Sequence, residues 1–128
     1  MPLSLVGLDL ASAFYVRQAG KQVGAVLVLG SADGRVAFAL ASRGHPVVAV
    51  ESSPRMHAAA DEQRPAQPAG PAVRLINADP RTLRLPERFG LVVAPQNALG
   101  LMASPDELEA ALLTVAHHLG PEGIFAFD

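Results

Sequence analysis

The chain has 128 residues, half of them hydrophobic and only 17% charged, which is ample for one compact core and too little for two. A single domain over residues 1–128 is expected, and the formal net charge of -2 gives no basic surface that would favour nucleic acid or an anionic membrane as the main partner. The absence of cysteine removes disulfides, thiolate nucleophiles and thiolate-ligated metals together.

Residues 1–24 read as an N-terminal helix and its lead-in. Leu3, Val6, Leu10 and Phe14 recur at helical spacing, and Gly20 and Gly24 end the helix. Asp9 interrupts this apolar stretch well short of the roughly 20 residues a membrane span needs, and no basic stretch precedes it. A soluble, cytoplasmic protein is therefore expected. Ala25-Val26-Leu27-Val28-Leu29 follows, a continuous apolar run closed by Gly30, as in a parallel strand buried on both faces. Residues 35–43 read as a helix. Val47-Val48-Ala49-Val50 is the second strand, and Ser53-Pro54 opens a helix through Met56 and Ala60 with a cap and a first-turn proline.

Residues 64–72, rich in proline and glycine, read as a surface linker. Val73-Arg74-Leu75-Ile76 and Leu91-Val92-Val93-Ala94 are the next strands. Ser104-Pro105-Asp106-Glu107 is a capping box, Leu108, Leu112, Val115 and Leu119 form the expected buried stripe of its helix, and Gly120-Pro121 ends it. Ile124-Phe125-Ala126-Phe127 is the fifth strand. Strands alternating with helices imply right-handed crossovers and an α/β three-layer sandwich with a mainly parallel sheet.

Ligands of open α/β sheets bind outside the carboxyl ends of the strands, beside the loop after the first strand. Here that loop is Gly30-Ser31-Ala32-Asp33-Gly34-Arg35. Its glycines permit a tight turn and close approach of a ligand to the backbone, and the following helix offers unpaired N–H groups. Glu51 ends the second strand, where a carboxylate can accept from both hydroxyls of a ribose. Arg35 disfavours the dinucleotide spacing G-x-G-x-x-G, whereas Gly30, Ala32 and Gly34 fit G-x-G-x-G.

VLVLGSADGRVAFALASRGHPVVAVESSPRM resembles the first two motifs of the class I S-adenosylmethionine (SAM) dependent methyltransferases. LINADPRTLRLPERFGLVVAPQNALGLM and LLTVAHHLGPEGIFAFD resemble the motifs that follow. The resemblance implies a Rossmann-like sheet of strand order 3-2-1-4-5, SAM as cofactor, and a small-molecule or protein methyl acceptor. It also implies that Gly30, Ser31 and Gly34, with Ala32 in place of the middle glycine, line the methionine and ribose portion, and that Glu51 holds the ribose hydroxyls. Ser52 and Met56 then flank the adenine, Asp79 accepts its exocyclic amine with Pro80 alongside, and Pro95, Gln96 and Asn97 lie near the sulfonium and the acceptor. Removing the Glu51 side chain is expected to leave the fold intact.

Three positions depart from the family pattern. Val28 stands where an acidic residue is common, Ala32 adds a methyl group, and Pro80 lacks an N–H. They motivate a second reading, a non-catalytic methyltransferase-like module that pairs with a partner chain. Asp79 can equally cap its own turn, and Asn97 either orients a nucleophile or caps the turn beginning at Ala98. No histidine pair has metal-ligand spacing, and His117 and His118 sit near a helix C-terminus that favours positive charge. The sequence stops directly after the fifth strand, so self-association or pairing with a partner chain through that strand's edge is expected.

Overall fold

In the computed structural model, which describes residues 8–128, the apolar runs become β1 (Val26–Leu29), β2 (Val47–Glu51), β3 (Val73–Asn77), β4 (Phe89–Ala94) and β5 (Leu119–Phe127). They form one parallel sheet in the order β3-β2-β1-β4-β5, as the resemblance implies. Both faces of the central strands are covered, which is why these strands read as continuous apolar runs. Val26 and Val28 point into a core with Tyr15, Phe38 and Leu40, while Leu27 and Leu29 join Val50, Val92 and Val115 on the other face. The helices α1 (Leu10–Ala19), α2 (Arg35–Ser42), α3 (Pro54–Gln63) and α4 (Pro105–His118) complete the sandwich.

The caps act where the sequence places them. Ser53 Oγ accepts from the Met56 N–H (3.2 Å) and Ser104 Oγ from the Glu107 N–H (3.2 Å). The helix faces differ from expectation. Asp9 caps α1 through the Ser12 N–H (2.8 Å), and the buried face is Ser12, Tyr15, Val16 and Ala19, leaving Leu10 and Phe14 exposed. Leu3 and Val6 lie outside the described residues.

In α4 the buried stripe is Ala111, Thr114, Val115 and His118, so of the four expected residues only Val115 belongs to it; Leu108 is half-buried, Leu112 is exposed and Leu119 already belongs to β5. The helix stops before Gly120-Pro121, which lie inside β5 at a register irregularity between its pairs with Phe89 and Leu91. The start of this edge strand thus carries the proline and the irregularity that blunt such edges. Residues 64–72 fold into two 3₁₀ turns, Arg64–Ala66 and Gly70–Ala72, each admitting a proline early, where no N–H is needed. A Cβ on Gly70 would stand 1.9 Å from the Arg64 carbonyl oxygen, so this close approach requires glycine.

His118 is the main correction to the charge reading. It is fully buried, its Nε2 accepts from the Leu85 N–H (2.9 Å), and its Nδ1 lies 2.7 Å from the Thr114 carbonyl oxygen, the partners of a neutral ring protonated on Nδ1. Burial pushes its pKa below the ordinary 6.5, so the unfolded chain binds the proton more readily. The contribution is fully present above about pH 6.5 and is lost as the pH falls below it, with a slope of at most about 1.4 kcal/mol per pH unit. Urea unfolding of the parent between pH 7.5 and 5 is expected to show this slope, and His118→Gln is expected to lack it.

Candidate functional site

At the carboxyl ends of β1, β2 and β4 the sheet opens into a cleft of about 510 Å³. The first wall is the turn after β1. The Gly30 and Ser31 N–H groups both donate to the Val50 carbonyl oxygen (2.9 and 3.0 Å), and the Gly34 N–H donates back to the Ser31 carbonyl oxygen (2.9 Å). This tight path puts Gly30, Ala32 and Gly34 at φ of 77°, 52° and 92°, in the left-handed region that glycine tolerates best. Gly30 and Ala32 line the cleft, whereas Ser31 is buried and Gly34 starts α2 below it, so these two shape the turn.

Glu51, at the end of β2, ties two segments together. Its Oε1 accepts from the Ala32 N–H (2.7 Å) and its Oε2 from the Ser53 N–H (2.9 Å), which joins the glycine turn to the start of α3. Ser52 and Met56 continue this wall, and Pro95 and Gln96 face it from the end of β4. Gln96 and Asn97 are consecutive non-glycine residues at φ of 58° and 57°. Together with Ala32 they place backbone strain at both rims of the cleft.

Asn97 itself does not line the cleft. Its N–H donates to Asp128 Oδ1 (3.4 Å), and its side chain packs over Gly100 without a side-chain hydrogen bond capping the turn at Leu99–Leu101. Asp128 Oδ1 also accepts from the Tyr15 hydroxyl (2.8 Å), and burial together with this carboxylate pushes the phenol pKa upward. Phe14 is half-exposed beside Tyr15, so of this aromatic pair Tyr15 is the one that packs inward.

The far wall contains Asp79 and Pro80 and, in addition, residues that the sequence does not mark as ligand contacts: Arg81, Ala98, Leu101, Met102 and Glu107. Arg81 grips Asp79 through Nε and Nη2 and reaches Glu107 through Nη1. The Arg81 guanidinium holds the Asp79 carboxyl below the usual carboxylate range, and Asp79 in turn raises the Arg81 pKa. The signal for Glu107 is present in the capping box, but its carboxylate accepts from the Ala103 N–H (2.9 Å) and from Arg81, in addition to serving the helix end.

The site therefore combines a glycine turn, a strand-end carboxylate and an apolar slot at the switch point of a 3-2-1-4-5 sheet. A sequence profile of the methyltransferase domain matches residues 26–123. The chain belongs to the methyltransferase-domain family. Among solved structures, this methyltransferase domain is similar to the CcbJ methyltransferase from Streptomyces caelestis, with 30% identity, a TM-score of 0.84, and 98% of this chain and 51% of that chain covered. It is also similar to the glycopeptide N-methyltransferase MtfA complexed with SAM (26% identity, TM-score 0.81, 94% and 54% covered). A third is CalS10, an amino pentose methyltransferase from Micromonospora echinaspora (28% identity, TM-score 0.75, 89% and 46% covered). The chain thus spans about half the length of these proteins. No curated protein sequence matches it. Among the described residues, no helix is long and apolar enough to cross a membrane.

Proposed function

We propose that this methyltransferase domain binds SAM in the cleft and serves methyl transfer to a small-molecule or protein acceptor in the cytoplasm. The observation that carries the reading is that Gly30, Ala32, Glu51, Ser52, Met56, Asp79, Pro80, Pro95 and Gln96, distant in sequence, line one cleft. The residues present fit the cofactor. Gly30 lines the cleft, and because a Cβ there would meet Ala98 at 2.8 Å, only glycine lets the turn pack this closely against the loop after β4. Each Glu51 oxygen accepts one backbone hydrogen bond and keeps a lone pair for a ribose hydroxyl. Met56, Leu101 and Met102 supply apolar surface for a nucleobase.

Bound SAM brings a methyl group already activated on its sulfonium. The chain's contribution is alignment. Ser31 and Gly34 hold the glycine turn, Pro95 and Gln96 form the rim nearest the acceptor, and beside that rim the Asp128 carboxylate accepts from the buried Tyr15 hydroxyl and the Asn97 N–H.

The second reading, a non-catalytic module, is favoured by Val28, which is fully buried in the sheet and offers no anchor for the cofactor's amino end. In that reading β5, at the sheet edge with Phe127 half-exposed, pairs with a second chain. Calorimetric titration separates the two. Binding of SAM or S-adenosylhomocysteine is expected in the micromolar range or weaker, about -8 kcal/mol at best. No heat and no thermal shift at millimolar ligand would leave the module reading standing.

A further inference from the structure

The hydrogen-bond capacity of the wall around Asp79 is almost fully taken up. Pro80 has no N–H. The Arg81 N–H donates to Asp79 Oδ1 (2.8 Å), and the Thr82 and Leu83 N–H groups donate to the Asp79 carbonyl oxygen (3.2 and 3.1 Å). The Asp79 carboxylate accepts from Arg81 Nε at Oδ1 (3.0 Å) and Oδ2 (3.1 Å), and from Nη2 at Oδ2 (2.7 Å). With the Arg81 N–H, these contacts fill the roughly four lone-pair sites of a carboxylate.

Open capacity remains on the neighbouring pair. Arg81 carries five N–H donors, and its bonds to Asp79 and Glu107 leave one on each terminal nitrogen. Glu107 accepts from Arg81 at Oε1 and from the Ala103 N–H at Oε2, so each oxygen keeps a lone pair. Both side chains line the cleft and are partly open to it, at 40% and 28% exposure. They are also braced, Arg81 between two carboxylates and Glu107 at the capped start of α4.

We propose that Arg81 and Glu107 together read the Watson–Crick edge of the cofactor's adenine, while Asp79 acts as the positioning residue for Arg81. This rests on the cofactor reading above. A donor beside an acceptor complements adenine, whose ring nitrogen accepts and whose exocyclic amine donates. Arg81 donates to the ring nitrogen in place of the N–H that Pro80 lacks, and Glu107 accepts from the amine. Hypoxanthine reverses both groups, setting N–H against N–H and a carbonyl oxygen against a carboxylate.

The test is calorimetric binding of S-adenosylhomocysteine and its deaminated analogue S-inosylhomocysteine to the parent, Glu107→Gln and Arg81→Met. The parent is expected to prefer the adenine ligand about 10–100-fold. Glu107→Gln suits the same capping position and offers an N–H to the hypoxanthine oxygen, so the preference is expected to fall to about threefold or less. Arg81→Met is expected to weaken the adenine ligand about tenfold and to leave the hypoxanthine ligand unchanged or tighter, because the opposed N–H is gone. Thermal melts confirm that each variant is folded. An unaltered preference in Glu107→Gln, or equal weakening of both ligands in Arg81→Met, overturns the proposal while the cofactor reading stands. Absence of any binding to the parent overturns both.

Discussion

Glu51→Ala is expected to lower the unfolding free energy by about 2–4 kcal/mol, because two hydrogen bonds to a charged group are lost at once. Sequence alone makes this residue a ligand contact dispensable for the fold. The structure adds that its carboxylate is what joins the Ala32 N–H of the glycine turn to the Ser53 N–H at the head of α3. Removing it leaves two part-buried donors without their acceptor, and water replaces it only where the cleft admits water. Urea unfolding measures the effect, with an unchanged m-value confirming that stability and not compactness has altered. Glu51→Gln retains one acceptor and turns a donor toward the other N–H, so it is expected to fall between alanine and the parent. If the carboxylate also holds a ribose, SAM binding weakens by roughly 1.5–3 kcal/mol in the alanine variant. A variant as stable as the parent would show that the two bonds contribute nothing net.

Gly30→Ala is expected to cost about 2–5 kcal/mol from two separable causes. A φ of 77° places an L side chain in the left-handed region, worth about 1–2 kcal/mol. The new methyl group would also stand 2.8 Å from Ala98 Cβ, closer than packed carbons allow, which adds the overpacking cost of about 1–3 kcal/mol. A double-mutant cycle with Ala98→Gly separates them. The second change removes the collision and leaves the backbone strain, so about half of the loss should be recovered. Full recovery would mean that the turn is unstrained, and no recovery that Ala98 moves aside freely.

The sheet was legible in the sequence because central parallel strands are apolar on both faces, so β1 and β4 read as uninterrupted runs without any phase to determine. Helix faces require a phase, and there hydrophobicity misleads. Leu112 and Leu113 stay exposed while Thr114 and His118 are buried, because partners satisfy the polar atoms. Thr114 donates to the Ala110 carbonyl oxygen (3.2 Å) and accepts from Arg84 (2.7 Å), and the His118 ring bonds Leu85 and Thr114. A periodicity count sees the polarity of Thr114 and His118, but not Arg84 or Leu85 folding over them.

The site divides in the same way. Gly30, Ala32 and Glu51 were legible because turn chemistry and a strand-end carboxylate are local signals. Arg81 and Glu107 were not, since what matters is an ion pair between segments 26 positions apart in the chain. Asp79 carries both signals, its local turn and its place beside the cleft, but its full engagement by Arg81 depends on the fold.

The adjacency of β1 and β4 has a kinetic consequence. Val26 pairs with Leu91 across about half of the chain, whereas β1, β2 and β3 are joined in sequence by single helices and short turns. Closing β4 against β1 therefore carries the largest loop-closure entropy of any strand pairing in the sheet, the kind of non-local contact that slows folding. The cleft is lined from both sides of that seam, so it comes into being only when the seam closes. A ligand held there clasps the two halves together and slows their separation more than it hastens their meeting.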